Sequence, residues 1–234
     1  AMRFAIAYSQ LLTKYFFELN ARLAVTQTIR REVDKRFSPD FNLFNLLLKD
    51  ELGLSWFIRE LLESNSAHGQ QKLFRALFLQ MIQEKQPHQA NNKTLEILAS
   101  QDDVQVNTEV QTIYSKSSQR RMDILIHNRD YGLMIENKPW AADQHQQLTD
   151  YAEDLKKRFA GNFYIVYLSP QGTDPSPESI STKELNKLKD EQRFYAMSLR
   201  DDLAYWARRC AEKSESEKMR QILLDFSSYL SSTF

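Results

Sequence analysis

At 234 residues, with 42% apolar, 12% aromatic and 26% charged residues, the chain has the make-up of a globular domain rather than a disordered tail or a membrane bundle. Lys plus Arg number 31 and Asp plus Glu number 31, which excludes a global basic excess, so a nucleic-acid partner would have to be met by a local patch. Cys210 is the single cysteine, which excludes an intramolecular disulfide and a thiolate metal site. The segment from Met2 to Gln10 is too polar for a signal peptide, and no run approaches the ~18 apolar residues of a membrane span, so a cytoplasmic protein without membrane association is expected.

From Phe4 to about Arg36, Leu11, Leu12, Tyr15, Phe16, Leu19, Leu23 and Val25 recur at helical spacing with no Gly or Pro between them, which predicts one long helix or two. Ser38-Pro39-Asp40 breaks the run, and Leu43 to Leu62 makes a further helical face or pair of faces. A loop over Ser64 to Gly69 follows, then a helix through Leu73, Leu77, Phe78 and Met81 that closes before Gln86-Pro87, and a weaker one from Asn92 to Ser100. After Asp103 the period changes to two: Val104, Val106, Val110, Ile113 and Tyr114 alternate with polar residues as a strand does. Met122 to His127 and Gly132 to Lys138 read as two more strands joined by a polar turn. Helical spacing resumes from Asp143 to Arg158, Gly161-Asn162 interrupts it, and Phe163 to Leu168 is an apolar run suited to a buried strand. Ser169 to Ser179 is a Pro-rich loop, and a short strand near Phe194 to Met197 precedes helices up to about Leu230.

A hairpin turn centred on Arg129 and Asp130 gives facing residues an index sum of 259, which Asp123 and Glu136 share. Their Cβ atoms would lie roughly 4.5 to 5.5 Å apart on one face, where like charges repel unless a cation sits between them. Lys138, two residues on, shares that face. Two hard carboxylates and an ammonium on a rigid sheet suit a magnesium-type ion acting on a phosphodiester, although solvated charged faces with a lysine counterion are also common.

The segments Arg121-Met122-Asp123-Ile124-Leu125-Ile126, Ile135-Glu136-Asn137-Lys138 and Gln147-Leu148-Thr149-Asp150-Tyr151 resemble the PD-(D/E)XK nuclease superfamily, and the stretch from Glu51 through His68-Gly69 to Phe78-Leu79 resembles an uncharacterised bacterial branch of it. Asp123 matches the first acid, Glu136 and Lys138 the (D/E)XK pair, and Gln147 or Gln144 the polar residue on the following helix, with Gln147 preferred. Glu51 resembles the extra acid that a preceding helix often supplies. Met122 stands where the motif has Pro, and Pro139 directly follows the lysine.

The resemblance implies an α/β, restriction-endonuclease-like fold: a central mixed β-sheet flanked by helices, with a helical N-terminal elaboration and a helical C-terminal tail. Residues 1–234 are expected to form a single domain, with an elaboration over 1–39, a nuclease core over 51–168 and C-terminal helices over 199–234. Glu51, Asp123, Glu136 and the backbone carbonyl of Asn137 are the implied Mg2+ ligands, with Mn2+ as a substitute, and Lys138 and Gln147 the groups that position water and phosphate. Arg120, Arg121 and Gln144 are candidate nucleic-acid contacts; Lys156-Lys157-Arg158 reads first as a charge cluster at a helix C-terminus, and His68 as a loop or surface residue with approach to the cleft as the alternative. DNA is the favoured substrate by resemblance. The alternative is a catalytically silent nuclease-fold module that binds nucleic acid, a partner protein or a second copy of itself, and the balanced net charge favours it mildly.

Overall fold

A computed structural model describes residues 2–37, 41–86, 92–114 and 120–234. The chain divides into two compact units, 1–43 and 44–234. The first is a single helix, α1 (Met2–Phe37), held by local contacts such as the Arg30–Asp34 and Glu32–Arg36 pairs one turn apart. The break expected at residues 38–40 lies outside the described residues.

The second unit begins with α2 (Phe44–Leu47), α3 (Glu51–Leu62), α4 (Leu73–Lys85) and α5 (Lys93–Ser100). Strands β1 (Gln105–Gln111), β2 (Arg121–His127) and β3 (Gly132–Asn137) follow, then α6 (Gln147–Arg158), β4 (Phe163–Ser169), α7 (Thr182–Asp190) and β5 (Phe194–Ser198). A π-helical turn, Leu199–Leu203, leads into α8 (Ala204–Lys213) and α9 (Glu217–Thr233). The sheet order is β1-β2-β3-β4-β5, antiparallel from β1 to β3 and parallel from β3 to β5. This is the mixed sheet flanked by helices that the sequence implies.

Two apolar clusters cover the two faces of the sheet. On one face, Ile124, Ile126, Leu133, Ile135 and Val166 pack with the helices from α2 to α5 and with α8 and α9. On the other, Leu125, Met134 and Ile165 pack with Leu148, Tyr151 and Leu155 of α6 and with Leu185 and Leu188 of α7. Strands β3 and β4 are buried throughout, as strands covered on both sides must be, which explains the apolar runs from Leu133 to Ile135 and from Phe163 to Leu168 within them. Buried Arg75 donates to the carbonyls of Leu98 and Gln101, so its charge meets the C-terminal end of α5 and its dipole. No helix among the described residues is long and apolar enough to cross a membrane.

Three local expectations are corrected. Ile113 and Tyr114 lie beyond β1, exposed, because their N–H groups donate to Asp154 Oδ1 instead of continuing the ladder. The crossover helix starts at Gln147 and not at Asp143, because Asp143 is held outside it, accepting from Tyr167 Oη and the Ser176 N–H. Helix α7 was not anticipated; Ser181 caps it, its Oγ accepting from the Glu184 N–H and donating to Glu184 Oε2, inside a stretch of charged residues.

Candidate active site

The hairpin places the two acids. Ile124↔Ile135, Leu125↔Met134, Ile126↔Leu133 and His127↔Gly132 all share the index sum of 259, so Asp123 and Glu136 come one step beyond the last ladder pair. There the strands part, and the Asn137 N–H donates to Asp123 Oδ2 at 2.7 Å rather than to a backbone carbonyl. On the other side of β2, the pairs Thr108↔Ile124 and Val110↔Met122 skip Glu109, which faces Asp123. Glu109 takes a left-handed φ of 53°, an unfavourable conformation for a residue with a side chain, and Arg121 holds its carboxylate at 2.8 Å. This kink accounts for Met122 and Val110 packing with the α6 side of the sheet.

Glu136 is completely buried. Its Oε1 accepts from Lys138 Nζ at 2.8 Å and from Gln147 Nε2 at 2.7 Å, while Oε2 has no partner. Glu51 opens α3, where Asp50 caps the helix by accepting from the Gly53 N–H, and its Oε1 lies 3.0 Å from the same lysine nitrogen. One carboxylate oxygen from each of Glu51, Asp123 and Glu136 lies within 4.8 Å of the others.

Three carboxylates share one ammonium here, and the titration behaviour reflects it. Burial, reinforced by Glu51 and Glu109 against the Asn137 N–H and Lys138, pushes Asp123 up to about 6. Burial and then Asp123 raise Glu136 well above the carboxylate range. Burial pulls the Lys138 ammonium down, but Glu136, Glu51 and Asp123 outweigh it and hold the pKa above the ordinary lysine value. Hard oxygen donors, excess negative charge and an unpartnered buried oxygen are what a small divalent cation requires, so the residues present fit one.

A supporting shell fixes these groups. Gln147 Nε2 also lies 3.2 Å from Tyr151 Oη, which donates to the Arg121 carbonyl at 2.6 Å, so the first turn of α6 is tied to β2 and to Glu136 together. The Asn137 side chain points away from the acids and donates to the Glu51 carbonyl and to Ser55 Oγ, which locks α3 onto the strand end. Arg120 pairs with Asp150 at 2.5 Å and donates to Gln144 Oε1 and the His145 carbonyl, bracing the approach to α6. Glu51, Glu109, Arg120, Arg121, Gln144 and Tyr151 are among the walls of a cleft of about 530 Å³ over Asp123 and Lys138.

His68 is not a neighbour of that cleft: its ring is bound between the Glu63 carbonyl and the Gln70 N–H, 4.9 Å from the Phe74 ring. Arg158 and Lys157 are turned to Asp154, the Gln111 carbonyl and the Tyr114 carbonyl at the end of α6. The reading from sequence did not single out Ser55, Tyr151 or Glu109. Ser55 and Tyr151 follow Glu51 and Gln147 by one helical turn, a spacing that marks a shared face, whereas nothing local distinguishes Glu109.

A sequence profile of the PD-(D/E)XK nuclease superfamily matches residues 41–228. No curated protein matches the chain. Among solved structures, the crystal structure of a protein of unknown function, AF1548, is matched with a TM-score of 0.22 and 12% identity, over 67% of this chain and 99% of that one.

Proposed function

This chain belongs to the PD-(D/E)XK nuclease superfamily, and on that premise we propose that it hydrolyses phosphodiester bonds in DNA with Mg2+, or Mn2+ in its place, held by Glu51, Asp123 and Glu136. The observation that carries this reading is Glu136: a fully buried carboxylate with one oxygen unpartnered, facing two more acids. Burying such a charge without a compensating partner is costly, and a cation at that point offsets the cost. The backbone carbonyl of Asn137 is a further donor on the same strand end.

A divalent ion in this position supplies Lewis-acid stabilisation of the charge developing on the phosphate and acidifies the attacking water. The protein's own groups do the rest. Lys138, kept protonated by Glu136 and Glu51, supplies a hydrogen bond and a positive charge toward a non-bridging phosphate oxygen or the incoming water. Gln147 fixes Glu136 Oε1, so that Oε2 keeps one direction. Arg120, Arg121 and Gln144 form the walls along which the phosphate backbone runs, with the exposed Arg121 the more accessible of the two cations.

Incubation of supercoiled plasmid, linear duplex, single-stranded DNA and RNA with the full chain and Mg2+ or Mn2+ tests this reading. Cleavage of DNA is expected, abolished by EDTA and reduced by at least about 100-fold in Asp123→Ala and in Lys138→Ala. Absence of cleavage on every substrate would refute it, and cleavage of RNA alone would refute the choice of DNA.

A further inference from the structure

Glu109 sits where neither its backbone nor its charge is at ease. Of the five residues other than glycine with a left-handed φ among the described residues, Gln71, Gln146, Ala160 and Gln192 lie in turns, and Glu109 alone lies inside a strand. A side chain destabilises that conformation, which glycine adopts freely. The register adds a second cost: Thr108↔Ile124 and Val110↔Met122 bracket Glu109, so it stands directly across from Asp123, and like charges in that relation repel. The ion pair with Arg121 at 2.8 Å does not offset both, because its guanidinium side chain is 64% exposed and its carboxylate side chain 35%, and pairs so open to water return little stability. A strained residue that folding does not require is held for what its side chain does.

Arg121 opens β2 opposite Gln111, so its side chain crosses diagonally to reach Glu109, and both line the cleft beside Asp123. A guanidinium carries five N–H donors, more than one carboxylate can use, and the rest remain for a phosphate. An arginine without a partner on an open wall would spread over many rotamers; the carboxylate of Glu109 confines this one before substrate arrives.

We propose that Glu109 is a positioning residue, which holds Arg121 against the cleft wall so that its remaining N–H donors meet the scissile phosphate over Asp123. The inference rests on the phosphodiesterase reading and extends it to a residue outside the metal ligands. Because Glu109 balances the charge of Arg121, it contributes orientation rather than attraction. Its removal leaves a mobile arginine that still attracts phosphate, so KM holds while kcat falls.

Steady-state cleavage by the full chain with Mg2+, on the DNA that the wild type cuts, tests this with Glu109→Gly, Arg121→Ala and the double variant, alongside urea unfolding of each in EDTA. Glu109→Gly relieves both the backbone and the facing charge, so its unfolding midpoint is expected to equal or exceed that of the wild type while kcat drops by about 10-fold at unchanged KM. Glu109→Asn, also tolerant of a left-handed φ but neutral and one methylene shorter, is expected to show the same split. Arg121→Ala should lower kcat at least as far and raise KM, and adding Glu109→Gly to it should change nothing further, because the glutamate works through the arginine. Wild-type kcat in both Glu109 variants overturns this inference alone, as does a lowered midpoint in both, which makes Glu109 a folding residue. An undiminished loss from Glu109→Gly in the Arg121→Ala background overturns it too, since Glu109 then acts without the arginine. A wild type that cleaves no substrate refutes the phosphodiesterase reading itself, and this inference with it.

Discussion

Burial and neighbouring carboxylates raise Asp123 from an ordinary 3.8 to about 6, which brings its proton toward neutral pH. Because the folded value is the higher one, the stability this group contributes is complete below 3.8 and is lost as the pH rises through 6. In EDTA, therefore, the wild type should lose stability relative to Asp123→Asn between about pH 4 and about pH 7 in urea denaturation, and the two pH profiles should not run parallel. Metal affinity should fall as the pH drops through 6, since protons and the cation compete for the same oxygen. Ser55 acts at one remove, through Asn137 and the start of α3: Ser55→Ala should weaken Mn2+ binding by about 10-fold to about 100-fold in calorimetry while lowering stability by only about 1 kcal/mol. At this scale the sequence was most informative where chemistry depends on alternation. Asp123, Glu136 and Lys138 follow from a two-residue period and one turn, while Glu51 was legible only through the resemblance. Glu109 depends on the register of β1 against β2 and on a left-handed φ, neither of which its neighbours signal.

Elements position these residues, and two of them expose that dependence to measurement. Gly132 starts β3 beneath Phe159 at the end of α6, where an added Cβ would sit 2.2 Å from the ring. Phe159 is buried and cannot swing aside, so Gly132→Ala should cost about 1 to 3 kcal/mol in urea unfolding, and less in a Phe159→Leu background. Ser181→Ala should remove the cap of α7 at a cost of about 1 kcal/mol without altering cleavage. Buried strands and long amphipathic helices were legible because burial on both faces or on one stripe imposes its period on the sequence. Helix α7 was not, because it buries only Leu185 and Leu188 and the rest of its residues look like a solvated loop. The start of α6 was misplaced for a related reason: Asp143 forms side-chain hydrogen bonds to Tyr167 and Ser176 that sit far away in sequence and hold it out of the helix.

For the whole molecule, a balanced net charge is compatible with a nuclease because the charges are sorted locally, with three acids concentrated at one strand end and cations along the cleft above them. The clustered acids carry an electrostatic cost there, so a cation bound between them would couple metal binding to folding. Mn2+ at about 100 times its Kd should stabilise the second unit by about 2.7 kcal/mol, visible as a rise in Tm that Glu136→Gln and Asp123→Asn abolish. Anomalous diffraction from manganese-soaked crystals examines the same centre directly. The predicted result is a single strong peak ligated by carboxylate oxygens of Glu51, Asp123 and Glu136, with Glu136 contributing Oε2. Crystals that cleave DNA when dissolved, yet show no peak there or show it elsewhere, would contradict the assignment.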